Sequence, residues 1–178
     1  MSLVAGSPRL VAAEAAAADA PPPLAVPTEP TAPEPAPSSS GSRAFKKTRT
    51  DAEKGEVLAQ FNLGLMYVAG REIPQNLLTA VEWFRKAADQ GNVSAQSNLG
   101  IFHARGIGVS NDFVEAAKWF RKAADQNDRS AQYNLGVLFA NGQGVTNDFS
   151  VAAQWYRRAA ELGEVNAQIA LAQLLVAG

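Results

Sequence analysis

Apolar residues recur at helical spacing along most of the chain. In residues 91–126, the segments AQSNLG and AAKWFRKAA place apolar side chains at positions i, i+3, i+4 and i+7, the pattern of an amphipathic helix. Similar segments return in the same order in residues 55–90 and 127–162, and a partial repeat occupies 163–178. The pattern predicts an all-α fold in which each 36-residue repeat contains a first and a second helix. The predicted helices are 57–69, 77–89, 93–105, 113–125, 129–141, 149–161 and 165–177.

Tryptophan and glycine each take a fixed place in the repeat. The three tryptophans lie 36 residues apart, at Trp83, Trp119 and Trp155. An aromatic residue in the same frame of every repeat is typical of a core position, although an aromatic box for a ligand is the alternative. A glycine inside each first helix costs roughly 1 kcal/mol relative to alanine, so its recurrence predicts close approach between neighbouring helices. These glycines are Gly64, Gly100 and Gly136.

The segments between the two helices of a repeat carry signals that stop one helix and start the next. Gly108 and Gly144 can supply the positive φ angles that such a turn requires, and Asp112 can cap the helix that follows it. The first repeat departs from this pattern, because Glu72 stands where the other repeats have glycine. We therefore expect its loop to be stiffer or to have a different shape.

Near its start, each full repeat contains a related segment: AQFNLG, AQSNLG or AQYNLG. The pattern G-x-G-V-x-x-D follows in two repeats, and A-x-x-W-[FY]-x-x-A-A follows in all three. Together these motifs resemble the Sel1-like repeat. This family is related to the tetratricopeptide repeat, and the resemblance covers residues 55–178. It implies a right-handed α-solenoid of helix-turn-helix repeats that acts as a protein-interaction scaffold, often in bacteria. A secreted, disulfide-rich branch of the family is disfavoured, because the chain has no cysteine.

The first 54 residues differ in composition from the repeats. Nine of the ten prolines lie within residues 1–37, and seven alanines lie within residues 11–20. Such a segment has too few large apolar side chains to offset the entropy of ordering it. Residues 1–54 are therefore predicted to be a disordered tail or linker, with a Pro-x-x-Pro ligand for an aromatic groove as the functional alternative. Residues 52–55 resemble the end of a second helix, but no complete repeat precedes Gly55.

Composition excludes several kinds of chemistry. The absence of cysteine removes disulfides, thiolate nucleophiles and zinc-thiolate sites, and a single histidine removes multi-histidine metal sites. That residue, His103, takes the place of Tyr67 and Phe139 in the repeat, so we expect a half-buried aromatic role for it. No phosphate loop or nucleophile elbow occurs. The sequence predicts a non-enzymatic protein without a metal or cofactor.

Charge and hydropathy limit the partners. A formal net charge of −1 argues against nucleic-acid binding, which needs a surplus of cations on one face. No run of about 20 apolar residues occurs, so no membrane span is predicted. The N-terminus lacks a recognisable secretory signal, although residues 18–20 resemble the end of a cleavage site. The compartment stays open between the bacterial cytoplasm and periplasm.

The first helices of stacked repeats are expected to line a concave face. An asparagine recurs on this face and could hydrogen-bond the backbone of an extended partner, or it could brace its own helix or a neighbouring loop. Positions that differ between repeats are better candidates for specificity. The predicted partner-binding residues are Asn62, Asn98, Asn134, Arg105, Asn141, Phe61, Ser97 and Tyr133.

Two functions follow from these observations. The first is a protein-protein interaction scaffold that binds a peptide or protein partner on the concave face. The alternative is a structural self-assembly module. Leu171, Leu174 and Leu175 of the last predicted helix have no second helix to cover them, so either the sequence is a piece of a longer array of repeats or this helix packs on another chain. In that case residues 165–177 are expected to mediate self-association. A hydrolase or cell-wall-ligand activity, which some relatives suggest, is a third hypothesis.

Overall fold

The computed structural model describes residues 43–177, which contain eight helices and no strand. The helices are α1 (Arg43–Glu53), α2 (Val57–Ala69), α3 (Leu77–Asp89), α4 (Val93–Arg105), α5 (Phe113–Ala124), α6 (Arg129–Asn141), α7 (Phe149–Glu161) and α8 (Val165–Ala177). The described chain divides into two compact units. The N-terminal unit, residues 43–112, contains α1–α4, and the C-terminal unit, residues 113–177, contains α5–α8. The predicted all-α fold with its 36-residue repeat is confirmed.

In the N-terminal unit each helix packs against the next one along the chain, α1 on α2, α2 on α3 and α3 on α4. The apolar positions of the repeat form the core: Leu63 of α2, Phe84 of α3 and Leu99 of α4 are fully buried. The ring of Phe84 also meets the edge of Phe102, with ring centres 5.5 Å apart. The buried faces are therefore those that the i, i+3, i+4 spacing predicts.

The C-terminal unit repeats this packing. Helix α6 contacts α5 and α7, and α7 also contacts α8. The core between them contains Tyr133, Ala152, Tyr156 and Ala167, and Leu171 and Leu174 of α8 pack against it from the edge. Small alanines alternate with large rings here, so neighbouring helices approach closely while the rings fill the remaining space.

Short polar side chains cap two of the first helices, α4 and α6. Asn92 precedes α4 and Asp128 precedes α6, and their side-chain oxygens accept hydrogen bonds from the backbone N–H groups of Ala95 and Ala131. These bonds satisfy donors that the first turn of a helix leaves unpaired. At its other end, α4 stops at Gly106, which has a left-handed φ of 68°. Local chemistry thus sets both ends of these helices.

The loop inside the first repeat differs from the other two, as expected. Gly108 and Gly144 both have a φ of 67°. A side chain at either position would collide with the backbone at the start of a second helix, at Leu77 or at Phe113. Glu72, at the corresponding position of the first repeat, does not have a positive φ. The first loop therefore takes a different backbone path that accommodates a side chain.

The recurring glycine of the first helices lies against an aromatic ring of the second helix. A Cβ atom at Gly64 would lie 2.7 Å from two ring carbons of Phe84, and one at Gly136 would lie 2.6 Å from a ring carbon of Tyr156. Gly100 is likewise buried on α4. Such contacts are closer than real Cβ atoms make, so only glycine fits without displacement of a buried ring.

One helix lies in the segment that sequence analysis assigned to the disordered tail. Helix α1 packs against α2 and buries Phe45 and Ala52. It takes the place of a second helix, although Lys47 stands where the later repeats have tryptophan. The assignment of residues 43–53 to the tail is therefore corrected, because Phe45 and Ala52 give this segment a buried face against α2. The rest of the predicted tail, residues 1–42, lies outside the described residues.

Candidate protein-binding surface

The recurring asparagines of the first helices are the leading candidates for contact with a partner. Asn62 is exposed, and Asn98 and Asn134 are half-buried. None of the three side chains hydrogen-bonds another described residue, and Nδ2 of Asn134 is buried without a partner there. The alternative role, in which each asparagine braces its helix or a loop, therefore has no hydrogen bond to support it.

Two further predicted contact residues lie at the C-terminal ends of first helices. Arg105, the last residue of α4, is exposed. Asn141, the last residue of α6, is half-buried, and its Nδ2 lies 3.5 Å from Oε1 of Gln143. Leu58 is exposed near the start of α2. In the N-terminal unit, the first helices thus expose the apolar side chain of Leu58, the amide of Asn62 and the guanidinium of Arg105.

The position occupied by Phe61, Ser97 and Tyr133 is buried or half-buried. Ser97 is 7% exposed and Tyr133 is 2% exposed, while Phe61 is half-buried. The ring of Phe61 packs on Phe84 and that of Tyr133 on Tyr156, each with ring centres 5.7 Å apart. Burial, with a smaller contribution from Tyr133, raises the pKa of the Tyr156 phenol. The prediction of partner contact is therefore corrected for Ser97 and Tyr133, which are buried, and stays a prediction for the half-buried Phe61.

The tryptophans lie at the edge of the core. Trp119 and Trp155 are buried and Trp83 is half-buried, while the next residue along each helix is more deeply buried, at Phe84, Phe120 and Tyr156. A cation three residues further on covers each indole ring. The cation lies 3.8 Å from the ring centre for Lys86 on Trp83, 4.0 Å for Lys122 on Trp119 and 4.8 Å for Arg158 on Trp155. These contacts favour a structural role over a ligand-binding box.

A buried glutamine in each of the first helices α2, α4 and α6 is a polar position whose role sequence analysis missed. The side-chain Nε2 donates to a backbone carbonyl of the preceding helix, eight residues earlier in the chain. The distances are 3.2 Å from Gln60 to Ala52, 3.0 Å from Gln96 to Ala88 and 3.1 Å from Gln132 to Ala124. The repeated Ala-Gln pair was the available signal, because a glutamine at a core position needs a hydrogen-bond partner.

The family of the chain follows from the repeat. The family model described as Sel1 repeat matches residues 57–92, 93–128 and 129–164. The chain belongs to the Sel1-repeat family. Each matched Sel1 repeat begins at the first residue of a first helix, two residues after the start that the sequence pattern suggested. Sel1-repeat proteins are generally protein-interaction scaffolds.

Solved Sel1-repeat structures resemble this chain over most of its length. A Sel1 repeat protein from Oxalobacter formigenes is 40% identical with a TM-score of 0.70, and the match covers 72% of this chain and 53% of that one. A protective antigen of uropathogenic Escherichia coli strains, which displays an SLR fold, is 40% identical with a TM-score of 0.68. That match covers 70% of this chain and 27% of the antigen. The chain therefore spans about half of one relative and about a quarter of the other.

A more distant structure shares the fold alone. Cysteine-rich protein B of Helicobacter pylori is 24% identical with a TM-score of 0.56, and the match covers 72% of this chain and 97% of that protein. Among curated proteins, no sequence matches the chain. The structural matches confirm the predicted α-solenoid fold class.

No cluster of three or more His, Cys, Asp or Glu side chains within residues 43–177 could hold a metal ion. His103 is buried on α4, at the position that Tyr67 and Phe139 occupy in the neighbouring Sel1 repeats. None of the described helices is both long and apolar enough to cross a membrane. Sel1-repeat proteins are typically non-enzymatic scaffolds.

Proposed function

We propose that the chain is a non-enzymatic scaffold whose first helices bind a protein or peptide partner. The observation that carries this proposal is that Asn62 and Asn98 form no hydrogen bond to another described residue, whereas Asn134, at the same repeat position, has a buried Nδ2. A side-chain amide offers two donors and one acceptor. It can therefore pair with the N–H and C=O groups of an extended segment, which that segment cannot satisfy by itself.

Arg105 adds a preference for a negatively charged side chain in the partner. Its guanidinium is exposed and forms no ion pair with another described residue. Because a guanidinium pairs with a carboxylate through two parallel hydrogen bonds, we expect an acidic side chain in the partner at this place. The exposed side chain of Leu58 offers apolar contact at the other end of the N-terminal unit's first helices.

The test begins with selection of peptides on the full chain from a displayed library of random sequences. The Kd of each selected peptide is then measured for the double variant Asn62→Ala, Asn98→Ala. Loss of two hydrogen bonds, each worth about 0.5–1.5 kcal/mol, should raise the Kd by about tenfold. Arg105→Ala should weaken peptides that contain Asp or Glu and leave the others unchanged.

The matched control is the double variant Glu82→Ala, Arg85→Ala on the exposed side of α3, which should keep the Kd of the wild type. Asn134→Ala, in the C-terminal unit, is measured separately. Peptides that bind the asparagine variants as tightly as the control would contradict the proposed surface. A library that yields no binding peptide would contradict peptide recognition itself.

A second candidate function is self-assembly through α8. The observation that favours it is a stripe of exposed apolar residues at i, i+4, i+7 and i+11, namely Val165, Ile169, Ala172 and Val176. Ile169 is 51% exposed and Val176 is 90% exposed. A continuous apolar stripe of this kind is typical of a protein-protein contact. This function requires that the mass of the protein in solution depends on its concentration.

A further inference from the structure

The buried glutamine of the first repeat has both ends of its side-chain amide paired. Nε2 of Gln60 donates to the carbonyl oxygen of Ala52 at 3.2 Å. Its Oε1 accepts a hydrogen bond of 2.7 Å from Nε2 of Gln90, which follows α3. The chain thus supplies a primary carboxamide to satisfy the buried oxygen.

The third repeat keeps only one of these two bonds. Nε2 of Gln132 donates to Ala124 as before, but residue 162, which corresponds to Gln90, is a leucine. Leucine has no side-chain donor. Oε1 of Gln132 is buried and has no hydrogen-bond partner among the described residues, in a side chain that is 2% exposed. An unpaired buried acceptor is costly, so this place favours any donor that reaches it.

A cavity of about 280 Å³ lies at this place in the C-terminal unit. Its lining includes Asp125, Asn127, Gln132, Arg158, Glu161 and Leu162. The volume lies just below the range of about 300–1,000 Å³ for pockets that take drug-sized ligands, so it suits a single side chain.

The charges in the lining favour a ligand that donates hydrogen bonds. The carboxylates of Asp125 and Glu161 form no ion pair with another described residue. The guanidinium of Arg158 lies 4.8 Å from the ring centre of Trp155, which it covers. The two carboxylates give the lining a net negative charge beside the buried oxygen of Gln132, which favours a ligand that donates.

We propose that this cavity binds a primary carboxamide, the side chain of a glutamine in a partner polypeptide. Binding moves aside the exposed side chain of Leu162, which also lines the cavity, and so opens Oε1 of Gln132 to one N–H of the carboxamide. The second N–H is available for a carboxylate of the lining. The carboxamide oxygen can accept from Arg158. A glutamate side chain would bring a negative charge and no donor, so it fits poorly. This site is separate from the first-helix surface proposed above, which contains Leu58, Asn62, Asn98 and Arg105, because the two share no residue.

The test follows backbone amide shifts of the full chain in proton-nitrogen correlation spectra. The probe is N-acetylglutamine methylamide, which is neutral and carries the carboxamide. Its matched control is N-acetylglutamate methylamide, which has the same backbone groups but lacks that donor. We expect saturable shifts in residues 124–132 and 158–162 with the glutamine probe and none with the glutamate probe.

Two variants at Leu162 test whether the free oxygen of Gln132 is the cause. Leu162→Gln gives the chain its own carboxamide, as Gln90 does in the first repeat, so it should abolish probe binding and raise the Tm. Leu162→Met has a similar volume and no donor, so it should leave both unchanged. Residue 162 is 43% exposed, and both variants are therefore expected to fold.

The outcomes separate this site from its rivals. Absence of saturable shifts with the glutamine probe, or binding that survives Leu162→Gln, would overturn the proposal. Stronger binding of N-acetyllysine or N-acetylarginine methylamide would overturn it in favour of a cationic side chain. The double variant Asn62→Ala, Asn98→Ala should leave the shifts unchanged, so failure of the first-helix surface would not resemble failure of this site.

Discussion

A buried glutamine in each repeat ties a first helix to the helix before it. The bond reaches a carbonyl near the C-terminal end of that helix, where carbonyl oxygens lack partners within the helix. Apolar packing alone would allow neighbouring helices to slide, whereas a directional bond in a dry environment fixes their register. The repeat is therefore specified by one polar contact as well as by its apolar face.

We expect Gln60→Met to lower the free energy of unfolding by roughly 1–2 kcal/mol, because it removes two hydrogen bonds at nearly constant volume. Urea unfolding monitored by circular dichroism measures the change. The control is Gln168→Met at the same repeat position of α8, where the side chain is exposed and its bond to Ala160 is 3.5 Å long. That variant should change stability by less than about 0.5 kcal/mol. Equal losses in both variants would contradict a special role for the buried amide.

The sequence revealed the repeating positions, but it suggested partner contact at a largely buried position and gave no role to the recurring glutamine. Variation among Phe61, Ser97 and Tyr133 suggested partner contact, yet the rings of Phe61 and Tyr133 pack on the second helix and Ser97 is buried. Two of the three residues at this position are aromatic, and this already indicated burial. The glutamine was visible as part of the Ala-Gln pair, but only the structure shows which carbonyl it reaches.

At the scale of helices, the apolar periodicity and the signals at helix ends were sufficient to predict where the helices of the repeats begin and end. Six of the seven predicted helices have the observed bounds, and α5 ends at Ala124, one residue before the predicted end. Helix α1 has no tryptophan in the frame of the repeat, so the sequence pattern did not predict it. In α1 the buried aromatic residue is Phe45, two residues before the expected place at Lys47, so the frame did not reveal it.

Phe45 should decide whether α1 stays docked. The helix has 11 residues, fewer than the roughly 12–15 that an isolated helix needs, so its order depends on packing. Phe45 contacts Tyr67 with ring centres 6.4 Å apart. We expect Phe45→Ala to increase amide exchange in residues 43–53 to nearly unprotected rates while α6 keeps its protection. Hydrogen exchange measured by mass spectrometry tests this.

The matched control for α1 is Lys46→Ala, which changes an exposed neighbour on the same helix. It should leave the exchange of residues 43–53 as in the wild type. If Phe45→Ala also left that exchange unchanged, the helix would be held by other contacts. If it increased exchange in every helix, α1 would be part of the global folding unit rather than a locally docked element.

For the whole molecule, the outward surfaces of the first and last described helices differ in chemistry. Helix α1 exposes charged residues, including Lys47 and Arg49, which pair with Asp51 and Glu53 along the helix. Helix α8 exposes its apolar stripe. A head-to-tail contact between two copies would bury these charges against apolar side chains, which is unfavourable. If the chain self-assembles, α8 should therefore pair with α8 of a second copy.

Pairing of α8 with itself uses the same surface on both copies, so it closes at a dimer rather than a filament. The self-assembly function thus predicts that the sedimentation coefficient rises with concentration and levels off at the value of a dimer. Ile169→Lys places a charge in the stripe and should keep the protein monomeric. Gln154→Lys adds the same charge at an exposed site on α7 and should leave the dimer intact. A monomer at all concentrations would exclude this function, whereas continued growth beyond the dimer would show that a second, different surface takes part.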